Sequence, residues 1–165
     1  MLERLKALVR KRIPNPRDDH DRHLLADVAT HGCHVIKVPR VDSAPPFAYS
    51  IGLYHNFTHP EILVVGLELD LMHRLINDMR DHIRAGTVFP AGSRSSDILT
   101  DLECEFRGVA RSHYVDLFGY ARWFYRGNDF PAIQCVWPDR RGHFPGQPEF
   151  DPTFCEIEPT YERST

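Results

Sequence analysis

Six apolar residues, Leu69, Met72, Leu75, Ile76, Met79 and Ile83, recur at steps of three and four, and Gly86 closes the series. This spacing predicts a helix over residues 68–85 with one apolar face. The other face carries Asp70, Arg74, Asp78, Asp81 and Arg84, a solvated charge pattern that implies no site. A helix apolar on one side must lie on another apolar layer. The segments around it supply one: residues 33–38, 47–53 and 61–67 before it, and 103–111 and 132–137 after it, are short, apolar and rich in β-formers.

Two more helices frame these strands. Asp18 or Asp19 can cap a helix carrying Leu24, Leu25 and Val28, which Gly32 would end. Residues 114–126 form an aromatic helix or helical turn stopped by Gly127. Residues 54–60 read as a long connection, 90–97 as a loop, and the stretch from about 138 as a Pro/Gly-rich tail. Short links between strands favour antiparallel pairing, since parallel pairs need crossovers. The expected fold is α+β: a mixed or antiparallel sheet, curled toward a barrel, packed by two or three helices. One globular domain is expected over residues 18–165, preceded by a basic extension, 1–17, in which Leu2, Leu5 and Val9 stand at helical spacing.

With 165 residues, a domain of this kind buries enough surface to need no staple. The 20 basic and 23 acidic side chains give a net charge of −3, so nothing indicates a nucleic-acid partner. Residues 1–17 carry six Lys/Arg and one Glu, whereas 149–165 carry five acids and one Arg. Cys33, Cys104 and Cys135 fall in or beside apolar runs, where a free cysteine acts as a small core residue. With Cys155 they form no CxxC pair, which argues against a disulfide framework or a structural zinc. No apolar stretch is long enough to span a membrane, and the N-terminus lacks the long apolar core of a signal peptide. A reducing cytoplasm is the expected location.

Chemistry concentrates in three segments. In the first, His55, His59 and Glu61 offer imidazole and carboxylate groups suited to acid–base work or to a metal. His59 and Glu61 are two apart and would share a side of an extended strand; Tyr49 and Ser50 lie just upstream. The spacing matches no metal signature, and the His20/His23 and His31/His34 pairs carry little weight among ten histidines. In the second, 120–131, Tyr125 and Arg126 are candidates for a pocket rim, while Phe118, Trp123 and Phe124 read as core. In the third, Trp137, Asp139 and Arg140 stand where a strand empties into a loop. An ion pair of Asp139 with Arg140 or Arg141 is the bland alternative.

These residues also carry a resemblance. His31-Gly-Cys-His-Val-Ile, Pro46-Phe-Ala-Tyr-Ser-Ile-Gly-Leu53, and His59-Pro-Glu61 with Leu63-Val-Val-Gly-Leu67 resemble an uncharacterised bacterial family, domain of unknown function 4262. Trp123-Phe-Tyr-Arg-Gly-Asn-Asp-Phe-Pro131, Gln134, Val136-Trp-Pro-Asp139 and Gly142-His-Phe-Pro145 continue the pattern, which spans roughly 20–153. The resemblance implies no activity. It makes the His-Pro-Glu segment characteristic of the family, and Gly52 and Gly66 become candidate bends or close backbone approaches.

Three functional classes follow. The favoured one is a domain that binds a small molecule, with nucleotides and flavins as candidates and no cofactor identified. The second is a protein-interaction module, of an immunity or stress-response kind, in which a protein partner or a second copy binds. The third is a metal-dependent hydrolase built on His55, His59 and Glu61.

Overall fold

A computed structural model describes residues 13–163. The helical spacing at Leu2, Leu5 and Val9 lies outside the described residues. Helix α1 (Asp19–His31) starts at Asp18, whose carboxylate accepts from the Asp21 N–H, and ends at Gly32. The chain then forms β1 (His34–Val38), β2 (Phe47–Ile51), a short α2 (Leu53–Phe57) and β3 (Glu61–Val65). The amphipathic segment forms α3 (Leu69–Arg84), with Glu68 capping its first turn. After it come β4 (Arg94–Leu99), β5 (Leu102–Gly108), α4 (Tyr114–Leu117), α5 (Gly119–Tyr125) and β6 (Ala132–Val136). The tail makes one further turn of 3₁₀ helix, Pro152–Phe154.

The strands form one six-stranded sheet in the order β1-β2-β3-β6-β5-β4. Four pairings are antiparallel and one, β3 with β6, is parallel, so the sheet is mixed. It does not close: β1 and β4 are its two edges, and the barrel expectation is wrong. The reason lies in the covering layers, because helices pack on both faces of the sheet and hold it open. Helix α3 covers one face, through Met72, Leu75, Ile76 and Met79 against Ala48, Ile62, Val64, Phe106, Ile133 and Cys135. Helices α1, α4 and α5 cover the other, where Leu24, Tyr114, Phe118 and Phe124 meet Ile36, Tyr49, Leu63 and Val65. Strands buried on both faces read as continuous apolar runs. Accordingly, every residue of β3 and β6 is buried.

Two loop readings need correction. Residues 54–57 of the expected connection are helical together with Leu53, the last residue of the expected strand, and are held by a cap that the local sequence does not display. Residues 94–97 begin the edge strand β4, whose mostly exposed side chains leave no alternating apolar signal.

Candidate functional site

Glu61, the first residue of β3, is fully buried and collects five hydrogen bonds. Its carboxylate accepts from the Ser50 hydroxyl at 2.5 Å, from the backbone N–H groups of Gly52 (2.8 Å), Leu53 (3.4 Å) and Tyr54 (3.2 Å), and from the Tyr125 hydroxyl. Those three amides are the first turn of α2, which has no capping side chain of its own. A carboxylate from the next strand therefore does the capping, where the N–H groups and the helix dipole favour negative charge. Burial pushes the Glu61 carboxyl above its ordinary range, and the hydrogen bonds from Ser50 and Tyr125 pull it back. Ser50 in turn accepts from the Ile62 N–H at 2.9 Å, and the Tyr125 oxygen accepts from the His55 N–H at 3.2 Å. The cluster thus ties β2, α2, β3 and α5 together. The His55 ring stands edge-on to Phe124.

His59 has different neighbours. It precedes β3, after Thr58 in a left-handed turn, so strand alternation does not govern it. Its Nε2 accepts from the Phe89 N–H at 3.0 Å, and its Nδ1 lies 2.8 Å from the Pro60 carbonyl. That pairing requires a neutral ring with the proton on Nδ1, in line with burial lowering its pKa. Phe89 belongs to the core under α3, whereas Tyr125 belongs to the opposite core. His59 and Glu61 therefore serve opposite faces of the sheet.

The third segment sits at the far end of β3. The Trp137 indole N–H donates to the Val65 carbonyl at 2.8 Å, and the Trp137 backbone N–H donates to Glu158 at 2.8 Å. Val65 is four residues beyond Glu61 along β3, roughly 13 Å at about 3.3 Å per residue. Asp139 is buried and makes no ion pair with Arg140 or Arg141. It accepts the backbone N–H groups of Arg141 (2.8 Å), His143 (2.9 Å) and Asp151 (3.0 Å). Burial opposes its ionisation, yet these bonds prevail and its pKa falls to about 2. Arg140 and Arg126 are exposed. Tyr49 is a core residue whose hydroxyl accepts from the Tyr120 N–H at 3.2 Å.

A different group has open chemistry. On α1, Asp27 Oδ2 lies 2.7 Å from Nδ1 of His34, the first residue of β1. His23 Nε2 is 3.9 Å from the same oxygen. Burial lowers the His34 pKa, with Asp27 working in the other direction. A neutral ring facing a carboxylate carries its proton on Nδ1 and keeps a lone pair on Nε2. The His34 side chain is 15% exposed. The His20 ring stands edge-on to it at 5.9 Å and lies 4.8 Å from Tyr120 of α5. In the sequence, His34 stands out only as half of the His31/His34 pair, which carries little weight among ten histidines. The missed signal was Asp27, on the α1 face that packs toward β1.

Among the described residues, one group of three ligand-bearing side chains lies within 4.8 Å: Asp18, His20 and Asp21. Asp21 is bound to Arg17 at 2.7 Å, and Asp18 caps α1. No described helix is long and apolar enough to cross a membrane.

Comparison with known proteins adds one finding: the family described as Domain of unknown function (DUF4262) matches residues 27–151. No curated protein and no solved structure matches the chain significantly.

Proposed function

This chain belongs to the family described as Domain of unknown function (DUF4262), and from that premise we propose that it binds a small planar molecule at the corner of α1, β1 and α5. The observation that carries the proposal is the 2.7 Å contact between Asp27 and His34, which fixes one histidine nitrogen as an acceptor at a half-buried position. A ligand N–H or O–H would donate to His34 Nε2, and its ring would lie against His20 and Tyr120. Asp27, His34 and Tyr120 fall within the family match, whereas His20 precedes it. In this reading Ser50, Glu61 and Tyr125 brace the sheet and touch no ligand, because every polar atom of the Glu61 carboxylate is already engaged. The corner supports a nucleobase or flavin ring equally, since both are flat and carry ring N–H groups.

The test is a thermal-shift panel of nucleotides, nucleobases and flavins on the full chain. A ligand at a hundred times its Kd should stabilise the protein by about 2.7 kcal/mol. His34→Ala should abolish the shift and Asp27→Asn should weaken it. A ligand whose shift survives His34→Ala, or a panel with no ligand at all, would overturn the assignment.

A further inference from the structure

Residues 152–161 start over the end of the sheet where the parallel strands β3 and β6 finish, at Trp137 and Gly66, and run back along β6 to Ala110, beside its first residue. Phe154 stacks edge-on against Trp137 at 5.8 Å, the Ala110 N–H donates to the Tyr161 carbonyl, and the Gln134 amide donates to the Pro159 carbonyl. The Ile157 carbonyl presses so closely on Gly66 that a Cβ there would lie 2.1 Å from it. In open sheets, the carboxyl ends of parallel strands are where ligands bind. The segment covering them lies beyond the family match, which stops at residue 151.

Two acceptors beneath this strap have no partner. Gln134 Oε1 and Glu158 Oε2 are buried and unbonded, although both side chains are about 1% exposed. Glu158 has a single donor, the Trp137 N–H on Oε1. A buried carboxylate with one hydrogen bond and no cation bonded to it is costly, and a proton on the second oxygen removes that cost.

We propose that the strap is a proton-operated lid over the carboxyl ends of β3 and β6, latched by the Glu158 carboxyl. Burial pushes that carboxyl up to about 9 from its ordinary 4.5. The groups facing it are the Cys104 thiol and Arg107 guanidinium of β5 and the Cys135 thiol of β6; Val65 and Gly66, at the end of β3 against Trp137 and Ile157, carry no charge. The Trp137 N–H and, more weakly, Arg107 favour ionisation, and Arg107 is committed to Glu105, Glu162 and the Pro145 carbonyl. Lifting the strap returns Glu158 to water, where it loses its proton at neutral pH. Between the two pKa values the closed lid holds one proton more than the open lid, so opening becomes about tenfold more favourable per pH unit. The latch is independent of the His34 corner.

Hydrogen-exchange protection, corrected for the chemical exchange rate, tests this on the full chain between pH 5 and pH 9. The Trp137 and Ala110 amides, whose acceptors belong to the strap, should lose about tenfold protection per pH unit while β3 amides hold. Glu158→Gln should make that profile flat. A flat profile in the wild type, or the same slope in Glu158→Gln, would sink the proposal. Should the variant misfold, carboxyl ¹³C NMR of the wild type decides: a protonated Glu158 at pH 7 is expected, and an ionised one overturns the latch.

Discussion

Asp139 illustrates how a buried carboxylate is held without an arginine partner. The residues around it suggest an arginine partner, but its oxygens instead gather three backbone N–H groups across the loop from Arg141 to Asp151. Sequence shows which residues are titratable; it does not show whether a neighbour offers its side chain or its backbone. The same gap explains His59, which looked like a ligand and is instead fixed between the Pro60 carbonyl and the Phe89 amide. Asp139 has its folded pKa depressed to about 2 from an ordinary 3.8. Its stabilising contribution is therefore complete above 3.8 and fades as pH falls toward 2. Urea unfolding of wild type and Asp139→Asn should show the variant less stable at pH 7, with the gap narrowing between pH 4 and pH 2. A gap that stays constant over that range would assign the loss to something other than this carboxylate.

Among elements, those with a complete local signature were legible. Helix α3 carries its own apolar stripe and its own cap at Glu68, β6 falls within the segment that its side chains predict, and β5 starts one residue before its own. Helix α2 was not legible, because five residues are too few to form a stable helix alone. Its existence depends on Glu61, a residue of the following strand. Removing that carboxylate strands three amides, the Ser50 hydroxyl and the Tyr125 hydroxyl, each a buried donor costing about 1–3 kcal/mol when unpaired. Relaxation recovers part of that sum. Glu61→Ala should cost about 3 kcal/mol or more in chemical denaturation, and Glu61→Gln nearly as much, because its amide turns a donor toward donors. Tyr125→Phe, which removes one bond to the same carboxylate, should cost about 2 kcal/mol. A Glu61→Gln variant as stable as wild type would mean that the carboxylate is kept for something other than capping α2.

At the scale of the molecule, the pairing that decides the topology is the one with least local trace. Leu63 pairs with Gln134 across 71 positions, and that parallel contact joins the two antiparallel halves β1-β2-β3 and β6-β5-β4. Links without a crossover made antiparallel pairing readable in the first half; in the second, β4 read as a loop and β5 reaches β6 only through α4 and α5. The join, and hence an open sheet rather than a barrel, follows from helices packing on both faces, which no single segment encodes. The join also creates the end on which the strap rests, and Gly66 is where they meet. Alanine there takes two separate penalties: a left-handed φ of 86° and a Cβ driven into the Ile157 carbonyl. Gly86, at φ 104° with nothing within 4 Å, takes only the first. Gly86→Ala should therefore cost about 1–2 kcal/mol and leave the tail protected. Gly66→Ala should cost more and, because a carbonyl cannot rotate aside as a side chain can, should lift the strap and speed proteolysis within residues 152–161. Equal losses in both variants, with the tail equally protected, would mean that the strap yields by a small shift and does not lock the end of the sheet.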